Sequence, residues 1–147
     1  MSKTIGVIGT RATIASGAYE KAILALEPGA TIHSAHCPLL VPLIEEGLIE
    51  DSLTDQMLRR YLDPLLSQGI DTLVLGCTHY PLLTGVISYV MGEDVTLVSS
   101  AEETAKDVYR TLVANDLLRH PDLPEPVHQF MVTGDPNDFQ RLGRRFL

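Results

Sequence analysis

Two short runs constrain the fold of this chain more than any other feature. Residues 4–10, TIGVIGT, and residues 71–78, DTLVLGCT, are apolar, and each ends at a glycine with a threonine one or two positions on. Neither alternates apolar with polar residues, as a strand with one wet face would, so both read as strands covered on both sides. Segments with helical spacing lie after and between them, which predicts βαβ units. The expected fold class is α/β, a mostly parallel sheet with helices on both faces. In open parallel sheets the loops beyond the carboxyl ends of the strands build the ligand site. The two glycine–threonine endings therefore place their hydroxyls at one edge, where a site is expected.

The rest of the chain fits this alternation. Ser16 is placed as the N-cap of a helix with Tyr19, Ala22, Ile23 and Leu26 on one face, stopped by Pro28 and Gly29. Residues 30–36, ATIHSAH, form a second, shorter strand candidate, and CPLLVPLIEEG (37–47) predicts a loop and a single helical turn. The clearest helix spans 52–68: Ser52 and Asp55 form a capping box, and Leu53, Met57, Tyr61, Leu62, Leu65 and Leu66 form an apolar stripe ahead of Gly69. Pro64 inside it predicts a kink or a division into two shorter helices. A helix beginning near Pro81, a strand over 94–99, an amphipathic helix over 101–118, an extended connector over 121–126, a last strand over 128–133 and a last helix over 136–147 complete the expected order.

Composition narrows the partners. A net charge of -8 leaves no basic stripe for nucleic acid or an anionic membrane surface. The pairs Arg59-Arg60 and Arg144-Arg145 are too short to change that and read as solvated helix faces. No apolar run approaches the roughly 18–20 residues of a membrane helix. The start, MSKTIGVIGT, passes directly into a strand and lacks the pattern of a secretory signal. Cytoplasmic location, with both cysteines as free thiols, is the expectation.

The second glycine-terminated strand carries the densest chemistry. Cys77 reads either as a small buried hydrophobe or as a reactive thiol. Three features favour chemistry: it follows a glycine at a strand end, it precedes an expected helix N-terminus, where thiolates are favoured, and a hydroxyl and an imidazole lie within two residues. Thr78 is either a helix N-cap or a group that holds a substrate carboxylate. His79 is either structural or an acid or hydrogen-bond partner for substrate or thiol. Cys37, before a proline in an apolar stretch, reads as a structural thiol. With no C-x-x-C or H-x-x-x-H pair, His33, Cys37, Cys77 and His79 do not make a metal site. GVIGTRATIASG lacks both nucleotide glycine fingerprints, although Thr10 and Thr13, flanking Arg11, suit a small anion. Glu45 and Glu46 read as solvated carboxylates, or as one that anchors an ammonium group.

GCTHYPLL (76–83), VIGTRATIASGAYEKAI (7–23) and CPLLVPLIEEG (37–47), in that fold and joined by FMVTGDPNDFQRLGRRFL (130–147), closely resemble the glutamate racemases. Related aspartate racemases usually carry glutamate where this chain has His79, so the histidine favours the glutamate branch. The resemblance covers essentially the whole chain. It implies a cofactor-independent isomerase that interconverts L- and D-glutamate for bacterial peptidoglycan, using two thiols on opposite faces of the α-carbon. It makes Cys77 one of the pair, His79 its assistant, Glu45 rather than Glu46 a functional carboxylate, and Thr78, Thr10 and Thr13 substrate-binding residues.

The same resemblance implies that residues 4–99 correspond to the second α/β domain of such enzymes and 100–147 to a segment that returns to the first. The family's Asp-Ser-Gly strand end and its Ala-Cys-Asn-Thr motif, which bears the other catalytic cysteine, do not occur in these 147 residues. Cys37 corresponds to the structural Cys-Pro of the second domain and does not replace that cysteine. The expectation is an incomplete racemase, active only with a first domain that is supplied by a separate chain or was lost from the gene model, or through self-association. The alternative is a non-catalytic half-site or a protein-binding remnant.

Overall fold

The computed structural model describes residues 3–146. The chain divides into two compact units, residues 1–105 and 106–147. The first contains strands β1 (Thr4–Gly9), β2 (Thr31–His36), β3 (Thr72–Gly76) and β4 (Thr96–Ser99), in the spatial order β2-β1-β3-β4. All three pairings are parallel. Helices α1 (Arg11–Ala15) and α2 (Ala18–Leu26) connect β1 to β2, and α3 (Leu40–Glu45) and α4 (Ser52–Leu66) connect β2 to β3. A 3-10 turn (Tyr80–Leu83) and α5 (Thr84–Met91) lead to β4, and α6 (Ser100–Ala114) comes after it.

The strand order determines which helices cover which face. The first crossover steps one way from β1 and the second steps back across it, so right-handed connections place α1 and α2 opposite α3, α4 and α5. Side chains agree. On one face Ile8, Leu73 and Leu75 pack in one buried cluster with Leu40, Ile44, Leu58, Leu62, Leu83 and Ile87. On the other, a Cβ added at Gly9 would meet Thr13 and Ile14 of α1, and one at Gly76 would meet Tyr19 of α2. Helices thus lie on both faces, as the buried, non-alternating strands require.

Local sequence explains most element ends, with several corrections. A short extra helix precedes the expected one: Thr10 caps α1, accepting from the Thr13 N–H, and it ends after a single turn and a half. Gly17, at φ 62°, takes the N-cap position of α2 expected for Ser16, while Ser16 Oγ, one residue earlier, accepts from the Ala18 N–H at 3.2 Å. Asp51 rather than Ser52 caps α4: its Oδ1 accepts from Leu53 N at 2.8 Å, and a carboxylate is the stronger partner for a helix N-terminus. The buried face of α4 is Thr54, Leu58, Leu62 and Leu65, whereas Leu53 is 45% exposed. Pro64 does not divide this helix: it sits within the last turn, so the one bond its missing N–H removes leaves the preceding turns intact. Thr54 is fully buried and donates its hydroxyl to the Leu48 carbonyl, which fastens the loop before α4.

The second unit is mostly irregular apart from the end of α6 and from α7 (Pro136–Gly143), capped by Asp135. Residues 128–133 do not form the expected strand. The unit has no other strand among its described residues to pair with, and a lone strand leaves its N–H and C=O groups to water. The expected end of the last helix, Leu147, lies outside the described residues.

Candidate functional site

The two glycine-terminated strands pair directly. In the β1–β3 register Gly9 lies opposite Gly76, so the Thr10 and Cys77 turns leave adjacent strands at the same level. The chain moves outward in opposite directions from these strands, since β2 lies on the far side of β1 and β4 on the far side of β3. That makes their carboxyl ends a topological switch point, the crevice where open α/β sheets bind ligands.

Cys77 and His79 are partly buried and Thr78 is exposed on the turn after β3. This turn runs into the 3-10 turn, with His79 at its cap position, so Thr78 does not cap a helix. His79 Nε2 lies 3.1 Å from Oε1 of Glu45, at the end of α3. A carboxylate only accepts, so Nε2 carries the proton, and in the neutral ring Nδ1 keeps its lone pair toward Thr78 Oγ1, 3.5 Å away. Glu45 and His79, 34 residues apart, are thus joined, and Glu46 is exposed at the C-cap. Thr10 and Thr13 form a separate pair, Oγ1 to Oγ1 at 2.9 Å. Among the described residues no group of three or more His, Cys, Asp or Glu side chains is arranged to hold a metal ion. No helix there is long and apolar enough to cross a membrane.

The two thiols differ sharply. Cys37 is 1% exposed. Burial pushes its thiol up from 9.0 to about 12, and the nearby Cys77 sulfur adds to the rise. The thiol form of Cys37 therefore persists in the folded chain at pH values where the unfolded chain ionises. Its stabilising contribution is complete below pH 9.0 and is lost as pH rises toward about 12. Urea titrations at successive pH values above 9 should show stability falling by at most about 1.4 kcal/mol per pH unit from this group. A Cys37→Ala variant should lose that slope. Brief alkylation at neutral pH should modify Cys77 and spare Cys37, read by peptide mass, because only Cys77 reaches solvent.

Tyr80 is a residue of the site that the sequence pattern did not single out. It is fully buried, and its Oη donates to the Cys37 carbonyl at 3.2 Å. Its N–H reaches back to the Cys77 carbonyl at 3.3 Å. One side chain therefore ties the Cys77 turn to the loop after β2, whose Cys37 N–H is itself held by the Gly9 carbonyl at 2.9 Å. Burial and the neighbouring Cys37 and Cys77 push its phenol well up, so it stays a donor. The signal was available: a tyrosine before a proline, in an otherwise apolar run, is a buried polar group in need of a partner. Tyr80→Phe should cost about 0.5–1.5 kcal/mol in urea denaturation, since the Cys37 carbonyl keeps its bond from Leu40 N.

Comparison with known proteins places this arrangement. The chain is 59% identical to the glutamate racemase of Beutenbergia cavernae over 97% of its own length and 51% of the relative's. With the glutamate racemase of a Parafrankia species the identity is 56%, over 99% of this chain and 52% of the relative. The chain thus spans about half the length of the curated relatives it matches. Among solved structures, the Bacillus anthracis glutamate racemase isoform RacE1 superposes with a TM-score of 0.89 at 42% identity, over 99% of this chain and 54% of that one. The Francisella tularensis glutamate racemase, solved in complex with D-glutamate, gives 0.89 at 35% identity, over 98% and 53%. Residues 1–108, which include both glycine-terminated strands and the Cys77 turn, match the Asp/Glu/hydantoin racemase family, and the chain belongs to that family.

Proposed function

We propose that this chain supplies the Cys77-bearing half of a glutamate racemase that needs no cofactor. The observation that carries the reading is the position of Cys77: a partly exposed thiol on the turn after β3, at the switch point of the sheet, beside the joined His79 and Glu45 side chains. The Francisella relative was solved in complex with D-glutamate, which supports glutamate as the substrate in this reading.

In this reading the Cys77 thiolate removes the α-proton from one enantiomer, or its thiol returns a proton to the same face. His79, oriented by Glu45, hydrogen-bonds substrate or thiol from the neighbouring turn position. Thr78, Thr10 and Thr13 offer hydroxyls to the substrate's carboxylates at the rim between β1 and β3. Inversion requires a proton from the opposite face, and the buried Cys37 cannot supply it. The second thiol therefore lies outside these 147 residues, on a first domain that packs against residues 100–147 in this reading.

Deuterium incorporation at the α-carbon of L- and D-glutamate in D₂O, monitored by NMR, tests the reading. This chain should exchange the α-proton of one enantiomer without inverting it. Adding a first-domain polypeptide that bears the Ala-Cys-Asn-Thr motif should bring inversion of both. No exchange above that of Cys77→Ala, with or without the added domain, would sink the assignment.

A further inference from the structure

The rim holds a second feature, on the β2 side of the sheet. A cavity of about 490 Å³ is lined by Arg11, His36, Met57, Arg60 and Tyr61, with Pro38 and Leu39 at its wall. Arg11 opens α1, His36 closes β2 opposite Gly9, and Arg60 and Tyr61 come from the middle of α4. The composition is unusual for a chain of net charge -8: two arginines line one cavity, and no carboxylate does. Elsewhere in the same unit, Lys3 holds Glu27 and Arg59 holds Asp55, each at 3.0 Å. Arg59 is also engaged over the Tyr89 ring, whereas the adjacent Arg60 lines the cavity. Arg11 Nη1 lies 3.4 Å from His36 Nε2, which fixes the direction of one guanidinium. Beside this cavity runs a groove of about 200 Å³ formed by Pro42, Leu43, Leu53 and, at its rim, Glu46, and both share Leu39 and Met57 as walls.

The geometry points to a binding site for a small amphiphilic anion, its phosphate or carboxylate held by Arg11 and Arg60 and its apolar part lying along Leu39 and Met57. Planar guanidinium forks match both anion types, and the Tyr61 hydroxyl adds a donor at the wall. The volume falls within the range of small-molecule sites. Nothing in the proton-transfer reading uses these residues, so the two proposals stand or fall separately.

Phenyl phosphate, inorganic phosphate and benzoate are suitable probes, titrated into the 147-residue chain and monitored by the side-chain Nε–H signals of Arg11 and Arg60 in NMR. Phenyl phosphate should shift both signals saturably, bind more tightly than inorganic phosphate, and weaken as salt rises. Benzoate against phenyl phosphate distinguishes a carboxylate site from a phosphate site. The double variant R11Q/R60Q should lose about tenfold or more in affinity with an unchanged denaturation midpoint, as both side chains are exposed. Leu39→Ser should weaken phenyl phosphate and leave inorganic phosphate as it was. Absence of saturable shifts with all three probes, or binding that survives R11Q/R60Q, would overturn the site. Equal binding of phenyl phosphate and inorganic phosphate would overturn its amphiphilic character.

Discussion

Replacing Cys77 with alanine should lower α-proton exchange of glutamate by about 10²–10⁴-fold, the span expected when a positioned acid–base group is removed. Cys37→Ala, in contrast, leaves the exchange rate close to that of the parent. The asymmetry arises from environment alone. Cys77 is partly exposed on a turn, where its thiolate can be solvated and reach a bound substrate. Cys37 is enclosed in the apolar cluster, and a charge there lacks compensating partners, which is why its thiol is pushed up to about 12. The Cys37 substitution should instead appear in stability, as a loss of about 1 kcal/mol from a small void. Exchange rates of both variants, measured by NMR in D₂O with denaturation curves of the same samples, decide the matter. If Cys37→Ala abolished exchange and Cys77→Ala kept it, the two roles would be reversed.

The parts of this structure that were legible in the sequence are those set by short-range pattern. The buried runs ending at Gly9 and Gly76 specify strands without a wet face, and only a parallel sheet with two helical layers accommodates them. The place of Cys77 on the turn after β3 was legible for the same reason, since a strand end fixes where the following side chains emerge. What escaped the sequence depends on neighbours distant in the chain or on competition between adjacent groups. Glu45 and His79 were each identified as candidates, but nothing local shows that their side chains meet across 34 residues. Tyr80 is central because the loop after β2 passes over it, a consequence of strand order. Asp51 displaced Ser52 as the cap of α4 by one position, where two acceptable caps stood side by side. The expected strand at 128–133 failed for the opposite reason: its local pattern was adequate, and no strand among the described residues of its unit was there to receive it. Arg60, read as part of a solvated pair, lines a cavity that only the meeting of α1, β2 and α4 creates.

Gly76→Ala should destabilise the chain by about 1–3 kcal/mol and displace the Cys77 turn, although alanine ordinarily suits a strand better than glycine. Its backbone is not the cause: Gly76 is not among the glycines with positive φ. The cause is proximity. A Cβ there would stand 2.9 Å from the Ile8 carbonyl oxygen and 2.9 Å from the edge of the Tyr19 ring. The ring belongs to a partly exposed helix residue and can turn aside. The carbonyl belongs to the paired strand, and it moves only if β1 and β3 separate at the level where Thr10 and Cys77 depart. Gly9→Ala provides the comparison, since the atoms nearest its added Cβ are side-chain atoms of Thr13 and Ile14, at 3.1–3.2 Å, which need give way by only a few tenths of an ångström. Urea denaturation should therefore rank Gly76→Ala well below Gly9→Ala in stability, and Gly76→Val lower still. Equal stabilities for the two alanine variants would mean that the strands are not held together at this end. The same separation would carry Cys77 away from Thr10 and the β1 rim, so Gly76→Ala should lose glutamate exchange even at temperatures where it remains folded. Stability and exchange falling together at Gly76, but separately at Cys37 and Cys77, would tie the reactive thiol to the strand pair that presents it.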